Sequence, residues 1–249
     1  MKALRKSARK MRDWFKCLLL NKPFVGMVNF GDLRRLKPID STFGYGRGEQ
    51  SIARYYIDRF IAENAQYIRG RVLEIGDNRY TAAYGGDKVE KSDVLHVASD
   101  NPNATIVADL SRPTPIPDDS FDCIILTQTL QFIYDYQTAL RQTHRILKRG
   151  GILLATLAGI SQISRYDMDR WGEYWRFTSV SARRIFSEYF PEESITVAVH
   201  GNVLAAIAVL EGLASKELTK AELDYNDPYY EVIITVRAIK KVDLKVDCS

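Results

Sequence analysis

From residue 51 to residue 239 the chain alternates strand-like apolar runs with helix-patterned stretches, and few folds accept that pattern. The runs are RVLEI, DVLHVA, ATIVA, FDCIILT, GILLATL, SITVAVH and EVIITVRAI. Helical patterns fall between some of them, most plainly YQTALRQTHRILKR, SARRIFSEYF and NVLAAIAVLEGLA, and SIARYYIDRFIAENAQYI precedes the first. Two parallel strands cannot be joined by a tight turn; they need a crossover, which a helix supplies. The all-apolar CIIL and ILLA suit strands covered on both sides. The expectation is an α/β fold: one seven-stranded, mostly parallel sheet with helices on both faces. The 249 residues suit a single domain, residues 51–249, preceded by a basic helical and lid segment over 1–50. Residues 22–50, rich in Gly, Pro and Arg, read as loop or lid.

The first run leads into RVLEIGDNRYT, residues 71–81, where an apolar strand ends at Glu74-Ile75-Gly76. In an open parallel sheet, ligands bind beyond the carboxyl ends of the strands. Gly76 permits close approach of a ligand to backbone. Asn78 stands where a further glycine is expected, and asparagine tolerates the left-handed region better than most residues. A nicotinamide-dependent oxidoreductase predicts GxGxxG followed promptly by a helix. That turn is missing, and AAYGGDKVEKSD is a poor helix.

Charge is unevenly spread. The net charge is +4, yet residues 1–37 carry eleven Lys and Arg against Asp13 and Asp32, so the rest of the chain is net acidic. That balance argues against a nucleic-acid enzyme, which carries its basic stripe across the main body. Leu4, Ala8, Met11, Phe15, Leu18 and Leu19 share one helical face, with Lys and Arg opposite. This is either an interfacial helix on an anionic membrane or a helix that packs on the domain or on a second subunit. No run approaches the ~20 apolar residues that span a bilayer. Cys17, Cys123 and Cys248 are odd in number and far apart. They point to a reducing compartment, so a cytoplasmic location, at the inner face of the membrane under the first reading of the helix. Scattered histidines and cysteines make no metal-ligand pattern.

Further along, Asp109 ends ATIVADL, then come PIPDDSFDCIILTQTLQFIYD and ALRQTHRILKRGGILLATL. This linked order resembles class I S-adenosylmethionine-dependent methyltransferases, over roughly residues 70–160. The carrying residues are Glu74 and Gly76, Asp109, Phe121-Asp122, and the stretch Arg145 to Gly151. The resemblance implies a Rossmann-like sheet and S-adenosylmethionine as cofactor. It places Glu74 and the Gly76–Asn78 backbone near the methionine part, Asp109 and the Leu110 amide at the adenine edge, and Gln128 and Thr129 at the reaction centre. The ribose-binding acid falls to Asp100, one residue beyond Val97-Ala98-Ser99. Gly150-Gly151 reads as a helix C-cap and tight entry to a strand.

A second resemblance, to methyltransferases found beside glycosyltransferases in polysaccharide pathways, rests on FGYGRGEQSIARYYIDRF, ISRYDMDRWGEYWRFT and HGNVLAAIAVLEGLA. It implies O-methylation of a sugar hydroxyl of a glycan or glycan precursor, an acceptor-binding insertion at about 160–178, and a glycosyltransferase as partner. Trp171, Tyr174 and Trp175 offer flat walls for that acceptor, and Arg165 and Arg176 offer polar anchors. The competing reading is that Trp171 and Trp175, at i and i+4, belong to a covering helix. Asp167, Asp169, Glu173 and His200 are candidate general bases. Arg47 and Arg54 suit a carboxylate or phosphate, or are solvated lid arginines. Rival readings are a non-catalytic methyltransferase-like scaffold and a methyltransferase acting on another small molecule.

Overall fold

The computed structural model describes residue Pro23 and residues 27–241. The chain divides into two compact units, residues 1–38 and 39–249. In the first, the described part holds one turn of 3-10 helix, Gly31–Leu33, with no buried residue. The amphipathic stretch from Leu4 to Leu19 lies outside the described residues.

The second unit is built on a single sheet. Its strands are β1 (Gly70–Ile75), β2 (Val89–His96), β3 (Ile106–Val107), β4 (Phe121–Thr127), β5 (Leu147–Ala158), β6 (Ile195–His200) and β7 (Ile233–Ile239). They lie in the order β3-β2-β1-β4-β5-β7-β6. The first five pair in parallel, and β7 runs antiparallel to both β5 and β6. From β1 the chain builds outward through β2 and β3, then returns to lay β4 against the other side of β1. That reversal opens a crevice beyond the tips of β1 and β4. All seven expected runs form strands, in the mostly parallel sheet the alternation predicts and the Rossmann-like arrangement the resemblance implies.

The helices are α1 (Ile52–Glu63), α2 (Arg79–Tyr84), α3 (Tyr136–Ile146), α4 (Arg165–Trp171), α5 (Ser179–Ser187), α6 (Val203–Leu210) and α7 (Lys220–Asp224). Strand residues sort onto the two faces with period two. Leu73, Ile124, Leu126, Leu153 and Val236 join Leu140 of α3 and Phe186 of α5 in one core. Val72, Cys123, Ile125, Leu154 and Ile233 join Ile57 and Ile61 of α1 and Ala205 of α6 in the other. Short polar side chains start these helices by accepting from the first turn: Ser51 from Arg54 N at 3.2 Å, Asp135 from Thr138 N at 2.9 Å and Asn202 from Ala205 N at 3.0 Å.

One local expectation differs from the structure, and a second gains detail. Gly150-Gly151 do not cap a helix: α3 ends at Ile146, Leu147 is already extended, and both glycines lie within β5. The β4–β5 register jumps from Phe121 opposite Leu147 to Cys123 opposite Ile152, and Gly150 takes φ +77°. The pair thus makes a bulge, where a side chain at the positive φ would be strained. The stretch expected as a lid is pinned over residues 39–50. Asp40 N donates to Glu211 O at 3.0 Å, Ser51 bridges Ala214, and a Cβ on Gly44 would lie 2.4 Å from Leu213 O.

Candidate active site

Two cavities open at the carboxyl edge of the sheet, side by side. The larger, about 630 Å³, is lined by Gly76, His96, Asp109, Leu110, Thr129 and Trp171, among others. The smaller, about 280 Å³, includes Tyr45, Arg54, Asp77, Gln131, Ser164 and Glu173 in its wall. Ile75, Thr127, Gln128, Phe132 and Asp167 line both. The shared wall therefore stands at the tips of β1 and β4, at the reversal in strand order.

The turn after β1 is organised from beneath. Glu74 is buried, and its carboxylate accepts from Tyr80 N at 3.1 Å, Thr81 N at 2.8 Å and Thr81 Oγ1 at 2.8 Å. It thereby serves the free amides of the first turn of α2. Burial raises its pKa, and the bonds from Thr81 and Tyr80 oppose that rise. Gly76 takes φ +85°, its N donates to Leu95 O at 3.0 Å, and its O accepts from Asn101 Nδ2 at 2.6 Å. A Cβ on Gly76 would meet nothing within 4 Å, so that face of the backbone is open to the larger cavity. This is a cradle that fits a ligand lying against the turn.

Three expected cofactor contacts change as a result. Glu74 lines neither cavity; it holds the turn's shape. Asn78 has φ −118°, so Gly76 alone supplies the positive φ and Asn78 replaces no glycine. Asp100 is exposed and lines neither cavity; the tip of β2 offers His96 and Val97 there instead. His96 Nδ1 lies 2.9 Å from Ala98 O and 3.4 Å from both Ala98 N and Asp100 Oδ1; the short carbonyl contact suits the neutral tautomer with its proton on Nδ1, in which Nε2 is an acceptor. Asp109, Leu110, Gln128 and Thr129 do line the larger cavity. Asp109 Oδ1 accepts from Ser111 N at 2.8 Å and Ser111 Oγ at 2.7 Å, which fixes the carboxylate at the cavity wall.

Gln128 carries the strain of the site. Its φ is +47°, uncommon for a residue other than glycine. Its amide donates to Thr156 O at 2.9 Å, its Nε2 to Thr156 Oγ1 at 3.2 Å, and its Oε1 accepts from Gln131 Nε2 at 3.2 Å. Gln131 is buried, and its Oε1 has no partner. The sequence reading missed Gln131, which a buried polar group in a helical turn after a strand hardly advertises. Its backbone O also accepts from Tyr174 N at 2.8 Å, tying the 171–175 stretch to the tip of β4.

The expected acceptor residues divide. Trp171 and Tyr174 wall the larger cavity, beside Asp109 and His96. Trp175 is not in the same helix turn as Trp171, because α4 ends there and Gly172 takes φ +83°. Its Nε1 donates to Ile133 O at 3.1 Å and Tyr134 O at 3.2 Å, and its ring packs on the core. Arg165 pairs with Asp169 at 2.8 Å on the exposed face of α4, so neither reaches a cavity. Arg176 binds Glu173 at 2.6 Å and Gln162 O at 2.8 Å, outside both cavities. His200, on the far edge strand, lies 3.1 Å from Thr235 Oγ1 and stacks on Tyr56; burial lowers its pKa. Of the four proposed bases Asp167 and Glu173 line a cavity: Asp167 Oδ2 accepts from Ser164 Oγ at 2.6 Å, while Glu173 is taken up by Arg176 and by Ser164 N at 2.7 Å. Among the described residues no group of three or more His, Cys, Asp or Glu could hold a metal ion, and no helix is long and apolar enough to cross a membrane.

A methyltransferase-domain family matches residues 63–155. A demethylmenaquinone methyltransferase of Anoxybacillus flavithermus is 26% identical over 131 residues, 50% of this chain and 49% of its own length. The chain thus matches about half the length of that curated relative. Among solved structures, phosphoethanolamine N-methyltransferase 2 of Haemonchus contortus with S-adenosyl-L-methionine aligns at a TM-score of 0.52 and 16% identity, over 89% of this chain and 62% of its own. The cyclase SpnF aligns at 0.52 and 17% identity, over 79% and 85%. At such identities the likeness shows the fold, and SpnF shows that one fold carries more than one chemistry. Residues 63–155 thus match a methyltransferase-domain family, and the sheet that carries them has the fold of a protein solved with S-adenosyl-L-methionine.

Proposed function

We propose that the protein transfers a methyl group from S-adenosylmethionine to an oxygen of a small, polar acceptor, a sugar hydroxyl of a glycan or glycan precursor. The observation that carries this reading is the pair of cavities that share Gln128 and Asp167 at the tips of β1 and β4. The larger suits the nucleoside, with Asp109 at the adenine edge, the Gly76 turn at the sulfur end and Trp171 as a flat wall. His96 takes the ribose position that the resemblance gives to an acid, since its free Nε2 can accept from a hydroxyl.

When bound, the cofactor supplies an activated sulfonium methyl. The chain supplies position and proton removal. Asp167, oriented by Ser164, accepts the proton of the acceptor hydroxyl, a role that contributes ~10²–10⁴-fold where geometry allows. Gln128 and Gln131 fix the shared wall and hold the two reactants apart from bulk water. Gln128, Gln131, Ser161, Gln162 and Ser164 in the smaller cavity favour a hydroxyl-rich acceptor over an apolar one. The relative named for demethylmenaquinone supports a second reading, a different small-molecule acceptor at the same place.

Titration calorimetry with S-adenosylhomocysteine, followed by label transfer from S-adenosylmethionine to nucleotide sugars and quinols, tests the proposal. Micromolar binding with transfer to a sugar supports it. Transfer to quinols alone selects the second reading, and absence of binding leaves a scaffold.

A further inference from the structure

We infer that Arg54 is a carboxylate clamp in the smaller cavity, completed only when a ligand brings the anion. This rests on the methyltransferase reading for its choice of ligands. Arg54 lies in the first turn of α1, is partly buried and lines the cavity. Its polar partners are neutral: Nη1 donates to Tyr80 Oη at 2.7 Å and Nε to Tyr45 Oη at 3.3 Å. Burial works against its charge, and the hydrogen bonds to the two tyrosine oxygens oppose that cost.

The surrounding ionic groups are otherwise matched. Arg47 pairs with Glu217, Arg59 with Asp224 and Glu63, and Arg176 with Glu173. At the cavity itself, Arg79 faces Asp77 at 3.8 Å, Glu173 also accepts from Ser164 N at 2.7 Å, and Asp167 accepts from Ser164 Oγ. Asp58 stands one residue removed: it accepts from Tyr80 Oη at 2.8 Å and from Gln50 Nε2 at 2.7 Å. Among the described residues Arg54 has no carboxylate partner. A sequestered cation without a counter-ion is costly, and a guanidinium with unused donors presents a planar fork that fits a carboxylate.

Two ligands can bring that carboxylate: the amino-acid end of the cofactor, since Asp77 and Arg79 just past Gly76 line the same cavity, or an acidic sugar acceptor. Calorimetry on wild type, Arg54→Gln and Arg54→Lys would compare S-adenosylhomocysteine with its decarboxylated analogue, 5′-S-(3-aminopropyl)-5′-thioadenosine. The expected result is that wild type prefers the carboxylated ligand by tenfold or more and that Arg54→Gln abolishes the preference, with Arg54→Lys between. If the preference survives in Arg54→Gln, glucuronate is added to unliganded and to S-adenosylhomocysteine-saturated protein. A rise in Tm in wild type that is absent in Arg54→Gln then assigns the clamp to the acceptor. An unchanged preference together with no Arg54-dependent glucuronate effect overturns the inference. Failure of wild type to bind S-adenosylhomocysteine overturns the cofactor reading instead and leaves the glucuronate arm to decide on Arg54. Tyr45→Phe, which removes one support and keeps the charge, should move the same ratios less far and serves if Arg54→Gln does not fold.

Discussion

The imidazole of His96 and the indole of Trp171 meet edge to face, with ring centroids 5.6 Å apart and planes at 87°. One ring ends β2 and the other ends α4, so the contact joins the sheet edge to the segment that walls the larger cavity. Both residues border the space assigned to the nucleoside, which makes their effects on cofactor binding separable from effects on the acceptor.

Trp171→Ala should weaken S-adenosylhomocysteine roughly fivefold, the loss of about 1 kcal/mol of aromatic contact. The KM of the acceptor should change less than the cofactor Kd. Calorimetry and steady-state kinetics on one preparation check this. An unchanged cofactor Kd with a raised acceptor KM would return Trp171 to the acceptor side.

Glu74→Gln should act on the turn rather than on the ligand. The amide keeps one acceptor oxygen and puts an NH₂ group among donors, so a buried backbone N–H at Tyr80 or Thr81 loses its partner. The cost is about 1–3 kcal/mol of stability. For a chain of this size that lowers Tm by several degrees. Cofactor affinity should fall with it, whereas Asp109→Ala should lower affinity with Tm preserved. Thermal melts and calorimetry on the two variants distinguish support from contact.

The sheet was legible because burial on both faces leaves an unbroken apolar run, as in CIIL and ILLA, and burial is the quantity that composition records directly. Among the positions that line the cavities, Gly76 was legible from the turn it makes at positive φ, and Asp109 from the linked order of motifs around it. The site was misread where a side chain's direction decides. Trp171 and Trp175 look like one helical face until Gly172 ends the helix between them. Asp167 and Asp169 are equivalent as letters, yet one turns to the cavities and the other pairs with Arg165 in solvent. His200 sits at the expected edge of the sheet but three strands from β4, with β5 and β7 between, a consequence of β7 inserting beside β5 that no local pattern encodes.

Gln128→Gly should separate strain from chemistry. Glycine relieves a left-handed residue that stores about 1 kcal/mol or more, while the lost side-chain bonds to Thr156 and Gln131 cost about as much. Tm should stay within a few degrees of wild type. Methyl transfer should fall at least tenfold, because the wall between the two cavities loses its carboxamide. A stable variant with full activity would show that Gln128 only shapes the loop.

Two partly buried histidines set a pH dependence with a definite sign. Burial depresses the pKa of His200 below its ordinary 6.5, and burial with the nearby Lys240 does the same for His144. Each is therefore neutral in the folded protein at pH values where the unfolded chain already binds a proton. The unfolded state holds more protons in that window, so stability rises with pH there and is lost as pH falls from about 6.5 toward the folded values. Each histidine contributes at most about 1.4 kcal/mol per pH unit across the window. Urea melts between pH 7 and pH 5 should show midpoints that decline on acidification. In His200→Gln, which retains a partner for Thr235 Oγ1, the decline should be shallower; a slope identical to wild type would mean that His200 is already charged in the folded protein.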